Sequence, residues 1–192
     1  AAQVSEDMTY LVRAGEVCLE AGRIDVARSF WIQAKTRNPK LVEPRQRLLD
    51  LSVEVAKLQH EPNAWISLQE EAQGLLDLDA DHAGAHHGLG LALVNTRRQA
   101  PENLQRGEEA LRRAVELSPD AVDYTADLAG FLRMQRAANP PDGVDGDGEA
   151  DEVEPLYLAL IASDPTPSLQ ASKARWVYAD YLVSQSREEE AG

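Results

Sequence analysis

The chain has 192 residues with 19 Lys and Arg against 33 Asp and Glu, a formal charge of −14. That excess of acid repels phosphate backbones and anionic lipid headgroups, so it argues against a nucleic-acid partner. The single cysteine, Cys18, excludes an intrachain disulfide framework and a multi-cysteine metal site, and no apolar stretch reaches the length of a bilayer span.

Helical periodicity runs almost end to end and is interrupted by turn and stop residues at Gly22, Asn38-Pro39, Glu61-Pro62, Asp79 to Asp81, Ala100-Pro101, Ser118-Pro119, Asn139 to Gly148 and Asp164 to Pro167. The pattern predicts about nine helices. The first covers 5–21, opened by Ser5, Glu6 and Asp7 and closed by Gly22. The second, 24–37, carries Ile24, Ala27, Trp31 and Ala34 on one face and stops at Pro39. A longer hairpin follows at 41–58 and 63–78, with Pro44 and Pro62 tolerable in first turns. The third hairpin, 82–96 and 102–117, has a longer link around Gln99, Ala100 and Pro101. Helix 120–136 pairs with 152–162 across a loop at 139–151 rich in Asp, Gly and Pro, which cannot propagate helix. A last helix is expected at 168–184, with the start of another at 187–191.

Leu11, Ala14, Gly15, Cys18, Ala27, Trp31, Ala34 and Pro39 recur, with drift, as His86, Leu89, Gly90, Leu93, Leu111, Ala114 and Pro119. Self-similarity at this period marks stacked helical hairpins, because one hairpin alone cannot bury its apolar face. The positions resemble the tetratricopeptide repeat (TPR), a 34-residue helix-turn-helix with small residues at fixed places and a late proline. Counted from Met8, the first repeat supplies Gly15, Ala27, Ala34 and Pro39 in those places; counted from Ala83, the third supplies Gly90, then Ala114 and Pro119 after about five inserted residues. The second repeat fits least well: Leu68, Ala72 and Leu75 take its second-helix core positions and Ala80 replaces the proline. The resemblance divides the chain into repeats at about 8–41, 42–82, 83–121, 122–167 and an incomplete 168–192 within one domain, with an acidic insertion at 139–151. It implies an all-α, right-handed superhelical solenoid of antiparallel hairpins.

In that family the first helices of successive hairpins line a concave groove that receives a peptide or partner helix. The corresponding positions here are Val12, Glu16, His87, Leu91, Asp123, Arg133, Lys173, Trp176 and Asp180, with Leu19, Val94 and Ala126 beside them. The family's clamp for chaperone C-terminal carboxylates needs Lys and Asn where Val12 and Glu16 stand, and an acidic rim repels that ligand. Trp31 and Trp65 fall on inward positions, while Trp176 maps to the groove or to packing against a following helix.

Other chemistry has weaker signals. His82, His86 and His87 form the one histidine cluster, but Ala83 stands where a zinc-protease motif needs Glu, so packing and surface roles are expected. Asp145, Asp147 and Glu149 imitate the opening of a calcium loop, yet Ala150 and Leu156 replace its glycine and its bidentate glutamate. Arg97, Arg98, Arg106, Arg112 and Arg113 are interleaved with Glu102, Glu108 and Glu109 and read as solvated helix faces. No phosphate-binding glycine loop, nucleophile elbow or Cys and His arrangement is present.

The expectation is a non-catalytic interaction scaffold without cofactor or metal. Its partner is a protein or peptide, with no nucleic acid and no membrane insertion. Alternatives are a self-assembling solenoid and homo-oligomer, or a regulatory or assembly-factor appendage of an enzyme or envelope complex. The opening Ala1-Ala2-Gln3 and the half-built last hairpin suggest an excised segment of a larger protein, soluble in the cytoplasm or periplasm.

Overall fold

The computed structural model describes residues 2–96, 100–138, 153–163 and 169–191. Among the described residues there are nine helices and no strands: α1 Ala2–Glu20, α2 Ile24–Arg37, α3 Val42–Gln59, α4 Pro62–Leu76, α5 Ala83–Asn95, α6 Pro101–Leu117, α7 Val122–Ala138, α8 Val153–Ser163 and α9 Leu169–Ala191. The acidic insertion at 139–151, with its imitation calcium loop, lies outside the described residues.

One expectation is corrected at the C-terminal end. The chain does not start a new helix at Arg187; α9 continues unbroken through Ala191. No Gly or Pro interrupts 184–191, and Arg and Glu propagate helix readily.

The helix ends follow from the punctuating residues. Gly22 has φ +72°, and around it the Arg23 N–H donates to the Cys18 carbonyl at 2.8 Å and the Gly22 N–H to Leu19 at 2.9 Å. This six-to-one and five-to-two pair closes α1 as a Schellman motif, which a glycine accommodates without strain. The turns after α2 and α6 repeat each other bond for bond. Asn38 N–H donates to Ala34 O at 3.0 Å and Leu41 N–H to Asn38 O at 3.1 Å; Ser118 N–H donates to Ala114 O at 3.0 Å and Ala121 N–H to Ser118 O at 3.1 Å. In both, a proline one residue past the cap prevents the helix from continuing. The period inferred from Ala34-Pro39 and Ala114-Pro119 is therefore a backbone period as well.

The chain forms two compact units, Ala1–Ala110 and Leu111–Gly192, with the boundary falling in α6. In the first, α1 pairs with α2 and α3 with α4, while α2 packs on α3 and α5 packs on both α3 and α4. Its core gathers Met8, Leu11, Val12 and Ala34 in one cluster and Ala27, Trp31 and Leu48 in another, with Cys18 half-buried against the latter. Cys18 is thus a packing residue. In the second unit α7, α8 and α9 pack mutually around Val122, Leu160 and Ala174 and around Ala129, Val153, Tyr157 and Tyr181.

Glycines set how closely helices approach. A methyl on Gly15 would overlap the Trp31 indole, whose Nε1 donates to the Val12 carbonyl at 3.2 Å. Gly88 admits Leu49 of α3 and Leu68 of α4. Gly107 of α6 lies against Val94 and the Gly90 carbonyl of α5.

Candidate interaction surface

The nine groove positions separate into core and surface. Val12, His87 and Leu91 are 1%, 4% and 5% exposed, which removes them from any surface available to a partner and corrects the sequence assignment. The reason is local. Helix α5 buries Ala85, His87, Gly88, Gly90, Leu91, Ala92, Leu93 and Val94, and what stays partly open is the line of Ala83, His86 and Leu89, so the face derived from periodicity is not the one that meets solvent. Val12 likewise belongs to the α1–α2 core.

Glu16 remains accessible. Its carboxylate accepts from Arg47 of α3 at 2.5 Å and from Arg13 at 3.4 Å. On the second-helix side, Lys35 of α2 reaches both oxygens of Glu71 in α4 at 2.7 Å. Each pair ties one hairpin to the next while staying partly open to water, so each contributes modestly to stability and more to register. Asp50, one turn beyond Arg47, is held above the usual carboxylate range by the surrounding protein; Arg47 and His82 oppose that shift and Glu54 adds to it.

In the second unit Asp123 of α7 pairs with Lys173 of α9 at 2.6 Å, and the Arg133 guanidinium sits 5.7 Å from the centre of the Tyr181 ring. Those contacts bring together four of the expected positions or their immediate neighbours and hold α7 beside α9. Trp176 and Asp180 lie exposed on α9, Trp176 at 70%. By contrast Trp31 and Trp65 are buried, as their inward positions imply. In the same unit Tyr157, Tyr178 and Tyr181 have ring centroids 5.6 to 6.3 Å apart. The Tyr178 hydroxyl donates to Glu154 at 2.8 Å, and that bond raises its pKa; burial raises that of Tyr157.

The histidines have assigned places. His82 caps α5, its Nδ1 accepting the Ala85 N–H at 3.2 Å, and His86 Nε2 is 2.8 Å from the Ala80 carbonyl. Among the described residues no group of three His, Cys, Asp or Glu side chains could hold a metal ion, and no helix is long and apolar enough to cross a membrane.

Two features escaped the sequence analysis. Arg47 is the partner of Glu16, a pairing that needs the α1–α3 register. The second is a concentration of positive charge: 23–47 holds Arg23, Arg28, Lys35, Arg37, Lys40, Arg45 and Arg47 against Asp25 and Glu43. Its residues are spread among core positions, whereas Arg97 and Arg98 stand side by side in the sequence.

Paired helices with a recurring alanine, turn and proline define a helical-hairpin repeat protein. The particular fold is that of the tetratricopeptide repeat, on the likeness of solved structures. The TPR protein TTC0263 of Thermus thermophilus matches at 18% identity with a TM-score of 0.64 over 96% of this chain and 86% of its own. MamA matches at 17% identity with a TM-score of 0.56 over 92% of this chain and 96% of its own. A mutant O-GlcNAc transferase of Thermobaculum terrenum matches at 18% identity with a TM-score of 0.61 over 88% of this chain, which spans 29% of the transferase. No family model and no curated protein matches the sequence.

Proposed function

We propose that the chain is a non-catalytic scaffold that holds a peptide or helix of a protein partner on the first-helix side of its hairpins. The observation carrying this reading is Trp176, a large aromatic side chain left 70% exposed on α9 between Lys173 and Asp180. Tryptophans are enriched among residues that dominate interface energy, because burying the ring removes a large apolar area from water. Asp123, Arg133, Lys173 and Asp180, in the same unit as Trp176, supply orienting charges. Their internal pairings leave partly exposed edges on which a partner's polar groups can compete. Val12, His87 and Leu91 support the helices of the first unit from within.

The test is affinity capture with the parent chain and with Trp176→Ala/Asp180→Lys, both checked by circular dichroism. Proteins retained by the parent and lost from the variant support the surface. Equal recovery of every retained protein contradicts it.

A further inference from the structure

The surface around Trp176 leaves aside the positive charge in 23–47, where 7 of the chain's 19 basic residues stand in a molecule of formal charge −14. Three of the seven have internal roles. Lys35 is held by Glu71 at 2.7 Å, Arg47 by Glu16 at 2.5 Å, and Arg45 donates from Nε to the Pro39 carbonyl at 3.1 Å. The other four, Arg23, Arg28, Arg37 and Lys40, are exposed, and none has an ion-pair partner among the described residues.

Helix electrostatics accounts for only part of this set. Arg37 lies in the last turn of α2 and Lys40 just beyond it, where cations complement the helix dipole. Arg23 occupies the N-cap of α2, where a positive charge is disfavoured and where its side chain makes no capping bond. Arg28 is in mid-helix. On the otherwise polar solvent side of α2, beside Asp25, Ser29 and Gln33, two aliphatic side chains flank it: Ile24 and Ile32, four residues to either side, are 48% and 44% exposed. Residues four apart share a helix face, so Ile24, Arg28 and Ile32 form one stripe. The ridge has a counterpart on α4, where Ile66 stands one repeat of 34 residues beyond Ile32, is 47% exposed, and lies on the helix joined to α2 by the Lys35–Glu71 pair.

We infer that this second-helix face of the first unit is a docking surface for an acidic, apolar-spaced protein segment. Carboxylates of the segment would meet Arg23, Arg28 and Lys40, and its aliphatic side chains would cover Ile24 and Ile32. Charge complementarity selects the sign of the partner, and the isoleucines select its class. A nucleic-acid backbone offers nothing to cover two exposed isoleucines, and it extends past the patch into the acidic remainder of the chain. An anionic bilayer meets the same repulsion over a larger area. A short segment fits, since α2 is 14 residues long, about 21 Å.

The probe is a synthetic helical peptide of about 14 residues with Glu and Leu in alternating i, i+4 rows, matched to the length of α2. It is titrated by fluorescence anisotropy against the full chain. Two variants are compared, Arg23→Glu/Arg28→Glu and Ile32→Gln; both change exposed side chains, and Arg23→Glu places a favourable charge at a helix start. Expected are saturable binding that weakens as salt rises, roughly tenfold weaker binding by the charge-reversed variant, and several-fold weaker binding by Ile32→Gln. Trp176→Ala binds as the parent does, which separates failure of this surface from failure of the first-helix surface. No binding up to millimolar chain, equal binding by the charge-reversed variant, or tighter binding of a Lys-for-Glu peptide overturns the inference. So does preferential binding of single-stranded DNA or phosphatidylserine vesicles with loss of that binding in Arg23→Glu/Arg28→Glu.

Discussion

The first and third hairpins solve the same packing problem in different ways, the first with a large side chain and the third with close helix approach. In the first, Gly15 leaves a hollow that the Trp31 indole fills, and Ala27 stands at the small position of the second helix. In the third, Gly90 stands where Gly15 does, Gly107 replaces Ala27, and Leu111 takes the place of Trp31 once the insertion is allowed for. There the close approach is between backbones, Gly107 lying against Val94 and the Gly90 carbonyl. The lesson is that the repeat tolerates smaller side chains at these positions where the helix backbones approach more closely, so that packing and not residue identity is kept.

Trp31→Ala should have the largest effect, since it empties the hollow over Gly15 and breaks the indole bond to Val12. A loss of about 3–5 kcal/mol in chemical denaturation is expected. Gly107→Ala tests the other hairpin. Its methyl would overlap Cγ1 of the buried, β-branched Val94 and crowd the Gly90 carbonyl 3.3 Å off, so a loss of about 1–3 kcal/mol is expected. Gly130 sharpens the contrast from outside both hairpins. It lies within α7 with nothing near its would-be Cβ, so Gly130→Ala should stabilise by about 0.5–1 kcal/mol. A loss there would show that this glycine, too, is held in a close approach.

The smallest effect is known by sign. The Asp50 carboxyl is raised above its ordinary value of 3.8, chiefly by burial, so the folded state holds its proton more tightly than the unfolded chain does. Its contribution favours the fold below that ordinary value and is lost as pH rises through the raised one. Asp50→Asn should therefore be more stable than the parent at neutral pH, and the two should converge in acid. Melts at stepped pH check both the sign and the convergence.

Much of the fold was legible because turn chemistry is local. Gly22, Pro39, Pro62, Pro101 and Pro119 fall at helix boundaries for reasons written in their own backbones. The surface was less legible. His87 and Leu91 have groove spacing, but spacing gives an angle around a helix axis and not what lies at that angle; at theirs, α5 is covered by protein. Trp176 could be assigned to groove or packing from sequence, and its exposure is a tertiary fact. The basic residues of 23–47 were visible individually, but only the Lys35–Glu71 and Arg47–Glu16 pairs reveal which charges are spent and which are left.

The packing of the first hairpin rests on the repeat register that pairs Gly15 with Trp31. The most direct test is a double-mutant cycle of Gly15→Ala and Trp31→Leu, the second giving the first hairpin the side chain found at the equivalent place in the third. Each single change should destabilise by about 2–3 kcal/mol, and the double variant should be more stable than their sum by at least about 1 kcal/mol, because leucine makes room for the new methyl. Additivity within about 0.5 kcal/mol would mean that the two residues do not share a site, and would contradict the register.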